Sequence, residues 1–251
     1  MTLRIGLIIP SSNRMVEQEM ARFVPPDVTL HVARLRMTGP HHAPLAQLLP
    51  RIEEAAGTLA DAKCGVVTFH CTATSMEEGP DGEERALAAV ARSGARDAST
   101  TATAVRRALA ALGTRRLVLV TPYSVATTAE EAAFLRAAGV DVVHSVACAL
   151  AGSDAYCSTP PEFWRDRAIE AARPDADLYF ISCTNIAALG IVEELERRLE
   201  RPVITSNQVV LWDSLARLGH GDMRDCPGQL FAAPVGRVSR RRNPPLEQIT
   251  T

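Results

Sequence analysis

The chain has 251 residues, 47% hydrophobic and 22% charged, which is the composition of a globular protein long enough for one large core or two small ones. Its 27 basic and 29 acidic residues give a formal net charge of −2, so there is no positive field for a nucleic acid backbone. No apolar run approaches the ~20 residues that span a bilayer, and the run from Ile5 to Pro10 is too short for a signal-peptide core. These features predict a cytoplasmic protein with no nucleic acid or membrane partner.

Short apolar runs alternate with longer amphipathic segments. The pattern predicts strands at 4–9, 28–35, 65–69, 116–120, 140–146, 178–181 and 203–205. Between them it predicts helices at 15–23, 43–59, 83–91, 102–112, 127–137, 162–172, 186–199 and 208–218. Continuous apolar strands alternating with helices mean parallel sheets covered on both faces, an α/β fold. From His220 onward the Pro- and Gly-rich text, with an arginine run at 240–242, reads as an irregular, surface-lying, solvated tail.

An internal repeat organises these elements. Leu3–Ser12 (LRIGLIIPSS) matches Arg115–Ser124 (RRLVLVTPYS), with Pro10 and Pro122 112 residues apart. Gly65–Ala73 (GVVTFHCTA) matches Asp177–Asn185 (DLYFISCTN), with Cys71 and Cys183 also 112 apart. A third pair of helices opens on Ser or Thr and ends in Leu-Gly, at 100–113 and 206–219. The chain therefore reads as two duplicated α/β units.

Ligands of open parallel sheets bind beyond the carboxyl ends of the strands. Cys71 and Cys183 both fall there, each before a predicted helix whose dipole would favour thiolate. The hydroxyls of Ser11, Ser12, Thr72, Ser124, Thr184 and Ser206 can donate to a carboxylate. One thiol on each side of a cleft suits proton transfer at carbon, or thiolate attack on an activated double bond. Cys64, Cys148, Cys157 and Cys226 have no symmetric partner and read as packing or surface residues, and no C-x-x-C pair is present. His70 should point away from Cys71 as a hydrogen-bonded core histidine. His41 and His42 read as solvated loop residues, and Trp164 and Trp212 as core. Asn13 and Tyr123 follow the first strand of each half, where they can touch substrate or stabilise turns.

The motifs PSSN (Pro10–Asn13), FHCTA (Phe69–Ala73), VTPYS (Val120–Ser124), ISCTN (Ile181–Asn185) and SNQ (Ser206–Gln208) resemble the aspartate/glutamate racemase superfamily. Within it, the chain is most similar to the branch of maleate cis–trans isomerases and arylmalonate decarboxylases, over roughly residues 3 to 219. The resemblance implies two pseudo-symmetric, Rossmann-like α/β lobes with parallel sheets, 1–98 plus 206–251 and 99–205, with the active site in the cleft between them. It implies no metal and no cofactor, a small carboxylic acid as substrate, and a superfamily that often pairs into homo-oligomers. In the isomerase pattern, Cys71 attacks the double bond and Cys183 supplies and recovers the proton. The implied substrate-binding set is Pro10, Ser11, Asn13, Thr72, Tyr123, Ser124, Asp154, Thr184 and Asn185.

Two departures stand out. Asp154 falls where maleate isomerases carry an Asn, and a carboxylate there repels a dicarboxylate unless protonated or turned away. Glu77 and Glu78 add negative charge after Cys71. Arylmalonate decarboxylases keep the second Cys and have Gly at the first, whereas this chain has both. Three readings follow: an isomerase or racemase using both thiols, a decarboxylase with Cys183 as proton donor, and a non-catalytic small-acid-binding module.

Overall fold

The computed structural model describes residues 2–38, 40–221, 223 and 226–233. Apolar, β-branched runs form β1 (Leu3–Pro10), β2 (Val28–Leu35), β3 (Val66–Phe69) and β4 (Ala98–Thr100), which pair in parallel in the order β2-β1-β3-β4. The second half repeats this with β5 (Arg116–Thr121), β6 (Asp141–Ala147), β7 (Leu178–Ile181) and β8 (Val203–Thr205), in the order β6-β5-β7-β8. The duplication holds bond by bond at the strand ends. His70 N–H donates to the Ile8 carbonyl, and Ser182 N–H, 112 residues on, donates to the Val120 carbonyl.

Helices cover both sheets. The first half has α1 (Val16–Met20), α2 (Leu45–Asp61), α3 (Thr72–Met76), α4 (Gly79–Arg92) and α5 (Thr101–Ala111). The second has α6 (Val125–Ala137), α7 (Gly152–Ser158), α8 (Pro161–Glu170), α9 (Val192–Leu199) and α10 (Ser206–Leu218). Because strand side chains alternate between faces, each sheet contributes to two cores. Ile8, Val67 and Phe69 pack outward under α2 and α4. Val118, Val120 and Ile181 pack outward with Trp164 of α8 and Leu195 of α9. The opposite faces share a central core with α5, α6 and α10, where Leu7, Leu119, Leu135 and Trp212 meet. Helix α10 leaves β8 and packs on α5, α1 and β3, elements of the first half.

The structure departs from the sequence expectations at short elements. Strand β4 has three residues, too few for alternation to reveal. Helix α1 has five residues where nine were expected, because the chain turns into β2 just beyond it. Helix α7 lies in a stretch that reads as loop. The helix expected from residue 186 begins at Val192, after a 3-10 turn at Leu189–Ile191. The segment after His220 is not wholly surface-lying. Cys226 and Leu230 are buried in the central core, and Gln208 Nε2 donates to the Pro227 carbonyl at 2.7 Å. The arginine run at 240–242 lies outside the described residues. Among these, no helix is long and apolar enough to cross a membrane.

Candidate active site

The carboxyl ends of β1, β3, β5 and β7 converge on one small cavity of about 30 Å³. Pro10, Asn13, Cys71, Tyr123, Cys183, Thr184 and Asn185 line it. Each comes from a turn directly after a strand, so the sheets fix their positions. Of the remaining predicted residues, Ser11 instead ties its loop to Met37, donating to the carbonyl at 3.1 Å and accepting from the N–H at 3.2 Å. Ser124 is exposed and caps α6, accepting from Thr127 N–H at 3.2 Å. Asp154 faces solvent with its side chain 94% exposed, paired with Arg14 at 2.5 Å. On α7, Ser153 and Tyr156, three residues apart, face the cavity in its place.

Both thiols are buried, and burial decides their chemistry. It pushes Cys71 up to about 11 and Cys183 up to about 12. The helix-dipole expectation fails for two reasons. Helix α3 is a five-residue turn, and Cys183 precedes no α-helix until Val192. The Tyr123 hydroxyl, donating toward Cys183, and Asn185 N–H, 3.3 Å from the sulfur, offset part of the burial cost. Cys71 has ordinary extended geometry (φ −147°), whereas Cys183 has φ +150°, a region that disfavours any side chain.

A buried polar network holds the turns in place. Ser206, at the start of α10, accepts from Cys183 N–H at 3.0 Å and from the Thr72 hydroxyl at 2.8 Å. It thereby ties the turn after Cys71 to the strained backbone of Cys183, and Thr72 serves this link without lining the cavity. His70 sits between Thr101 and Asn207 Oδ1, both at 3.0 Å, and burial lowers it to about 4, so it is neutral. Asn207 Nδ2 donates to Glu19 at 2.8 Å and to the Thr184 carbonyl at 3.3 Å. Glu19 also accepts from Leu189 N–H at 2.9 Å.

Asn13 Nδ2 donates to the Thr184 hydroxyl oxygen at 3.0 Å, while its Oδ1 accepts from Met15 and Val16 N–H. The second Nδ2 hydrogen and the Thr184 hydroxyl hydrogen remain for a ligand. Asn185 Oδ1 is occupied by Arg14 N–H and the Cys157 thiol, which leaves its amide hydrogens for a carboxylate. Among the described residues none that lines the cavity is cationic, so an acid would be held by amide and hydroxyl donors. His41 is not simply solvated, since it bridges Glu77, Glu130 and Thr127 beside Pro40 of the cavity wall. Glu19, Ser153 and Tyr156 belong to the site without standing out in the sequence. Only the i, i+3 spacing of the last two offered a signal.

A family model for arylmalonate decarboxylase matches residues 5–231. The chain is 30% identical over 214 residues to a maleate isomerase of Nocardia farcinica, covering 81% of this chain and 85% of that one. It is 28% identical over 230 residues to an arylmalonate decarboxylase of Bordetella bronchiseptica, covering 90% and 95%. The fold superposes on a cysteine-to-serine mutant of the N. farcinica maleate cis–trans isomerase with a TM-score of 0.85 and 27% identity, over 92% of this chain and 98% of that one. That structure holds a covalently bound succinylcysteine intermediate.

Proposed function

The chain belongs to the arylmalonate decarboxylase family, and from that premise we propose that it is an enzyme that isomerises a small unsaturated carboxylic acid, as maleate isomerases do, through Cys71 and Cys183. One observation carries the reading. Two buried thiols from equivalent positions of the duplicated halves line a single cavity. A decarboxylase needs one proton donor, whereas double-bond isomerisation needs a nucleophile and an acid. The covalent intermediate in the maleate isomerase relative shows that this fold supports cysteine adducts.

The reaction balances as the addition of one S–H bond. Cys71 sulfur bonds to one alkene carbon, the Cys183 proton goes to the other, and the Cys71 proton replaces it on Cys183. Rotation about the new single bond follows, and the same steps in reverse release the trans acid. The Tyr123 hydroxyl and Asn185 N–H stabilise the charge that develops on Cys183. Asn13, Thr184 and Asn185 hold carboxylate. With Asp154 turned outward, a second carboxylate meets no repulsion from it. All of these roles fall to residues of the chain.

A second reading, decarboxylation of an arylmalonate with Cys183 protonating the enolate, is favoured by the 28% identical relative. Proton NMR in D2O separates the readings, using maleate, phenylmalonate, aspartate, glutamate and a hydantoin. Fumarate formed from maleate supports isomerisation. Loss of carboxyl with one deuterium gained supports decarboxylation, and deuterium entering an α-carbon supports racemisation. If no compound turns over but one raises the melting temperature, a binding module is the better description.

A further inference from the structure

The 112-residue repeat carries a further matched pair that the mechanism leaves unused, Glu19 on α1 and Glu131 on α6. Both side chains are buried, but their surroundings differ. Glu19 accepts from Leu189 N–H and Asn207 Nδ2. Glu131, 1% exposed, has neither oxygen in a well-formed hydrogen bond, and the Ser182 hydroxyl beside it is equally unpartnered. The duplication explains the contrast. The position matching Leu189 is Glu77, whose N–H is already bonded to the Ala73 carbonyl within α3. Counting from the helix caps Thr205 and Thr100, the position matching Asn207 is Ala102, which has no donor.

A buried carboxyl whose one neighbouring donor, the Ser182 hydroxyl, makes no well-formed bond to it is far cheaper to keep neutral than charged. Ser182 directly precedes Cys183, and a charge on Glu131 disfavours ionisation of both Cys183 and Tyr123. We infer that Glu131 is a positioning residue held as a neutral acid behind Cys183, and that its ionisation switches off proton donation by that thiol. This rests on Cys183 being the acid of the proposed reaction.

Among the described residues the packed elements supply Glu131 with no ion-pair partner. Helix α6 lies against α3, which Glu77 directly follows, against α4, which carries Asp81, Glu83, Glu84, Arg85 and Arg92, and against β6, which carries Asp141 and His144, while His41 reaches Glu130 and Thr127 from the loop before α2. Its own helix carries Glu130 and Arg136. Burial and the Ser182 hydroxyl govern Glu131, and burial lifts it to about 7.

The test compares the unaltered protein with Glu131→Gln, which keeps shape and neutrality. The inference expects turnover of the unaltered protein to fall along an alkaline limb near pH 7, by up to about tenfold for each pKa unit imposed on Cys183. In Glu131→Gln that limb should move up by more than a unit. Infrared difference spectroscopy between the two proteins below pH 7 should show a protonated carboxyl band lost in the variant. An unmoved limb, or no such band, overturns the inference while leaving the two-thiol reading intact. If Cys183→Ser retains full turnover, the two-thiol reading fails, and the infrared band still reports on Glu131 by itself.

Discussion

Replacing Ser206 by Ala should separate stability from catalysis. The substitution removes one oxygen and orphans two donors, Cys183 N–H and the Thr72 hydroxyl, at a site with no exposure. The hydroxyl can rotate, but the backbone N–H cannot. An unsatisfied buried group costs about 1–3 kcal/mol. In a chain of this length that lowers Tm by about 2–4 °C for each kcal/mol. The larger effect is geometric, because Cys183 is held at φ +150° and loses the acceptor fixing its N–H. A displacement of the sulfur by about 1 Å lowers turnover on the order of 10²-fold. Thr72→Val is the control, since it leaves Ser206 free to accept from Cys183. It should cost only about 0.5–1.5 kcal/mol and leave most activity. In the double variant one orphaned donor is gone, so its loss of stability should be less than the sum of the singles. Urea melts, turnover of the acid found by deuterium NMR, and alkylation rates of the two thiols supply the readouts. Ser206→Ala with unchanged Tm and turnover, or Thr72→Val as damaging as Ser206→Ala, would refute the reasoning.

Cys71→Ser and Cys183→Ser should each fold, as judged by Tm, and lose isomerisation by about 10²–10⁴-fold in steady-state assays, whereas decarboxylation would survive the first change. Asp154→Asn should alter stability by under about 1 kcal/mol and turnover by less than about twofold, because its pairing with Arg14 is exposed. Stability should fall with pH just below neutrality. Burial raises Glu131 from 4.5 to about 7, so the folded state holds this proton more tightly than the unfolded chain. Its contribution is fully present below pH 4.5 and lost as pH rises through about 7, roughly 3 kcal/mol in all. His70, lowered from 6.5 to about 4, acts oppositely, adding stability as pH climbs to 6.5. Burial also lifts Glu19 and Glu77 to about 7, so calorimetry between pH 6.5 and 7.5 reads the three carboxyls together, the part lost in Glu131→Gln belongs to Glu131, and a Tm that rises with pH there contradicts the assignment.

Much of the architecture is legible in the sequence because strand ends and turns are local. The strands Val28–Leu35, Leu178–Ile181 and Val203–Thr205 follow from apolar runs alone, and the repeat brings Cys71 and Cys183 to corresponding places. The network behind them is not legible. Glu19 and Asn207 stand 188 residues apart, and no periodicity links an acid on a five-residue helix to an amide at the start of α10. Thiol ionisation is not legible either, because position after a strand signals a helix end, whereas burial depends on the whole fold. Ser11 and Ser12 look alike in sequence and both reach the Met37 carbonyl, yet only Ser12 of the two lines the cavity. The outward turn of Asp154 depends on Arg14, 140 residues earlier.

The ties that α10 makes also bear on how the protein is born. Synthesis runs from the first residue onward, and early segments leave the ribosome and begin to fold while later ones are still being made. Ser206 and Asn207 are the last residues to join the turns around both cysteines. A nascent chain that stops short of them carries both thiols and both sheets, but no clamp on Cys183. Competence therefore arrives late, and a prematurely ended chain would present its thiols to the cell without the Ser206 tie that holds the Cys183 turn.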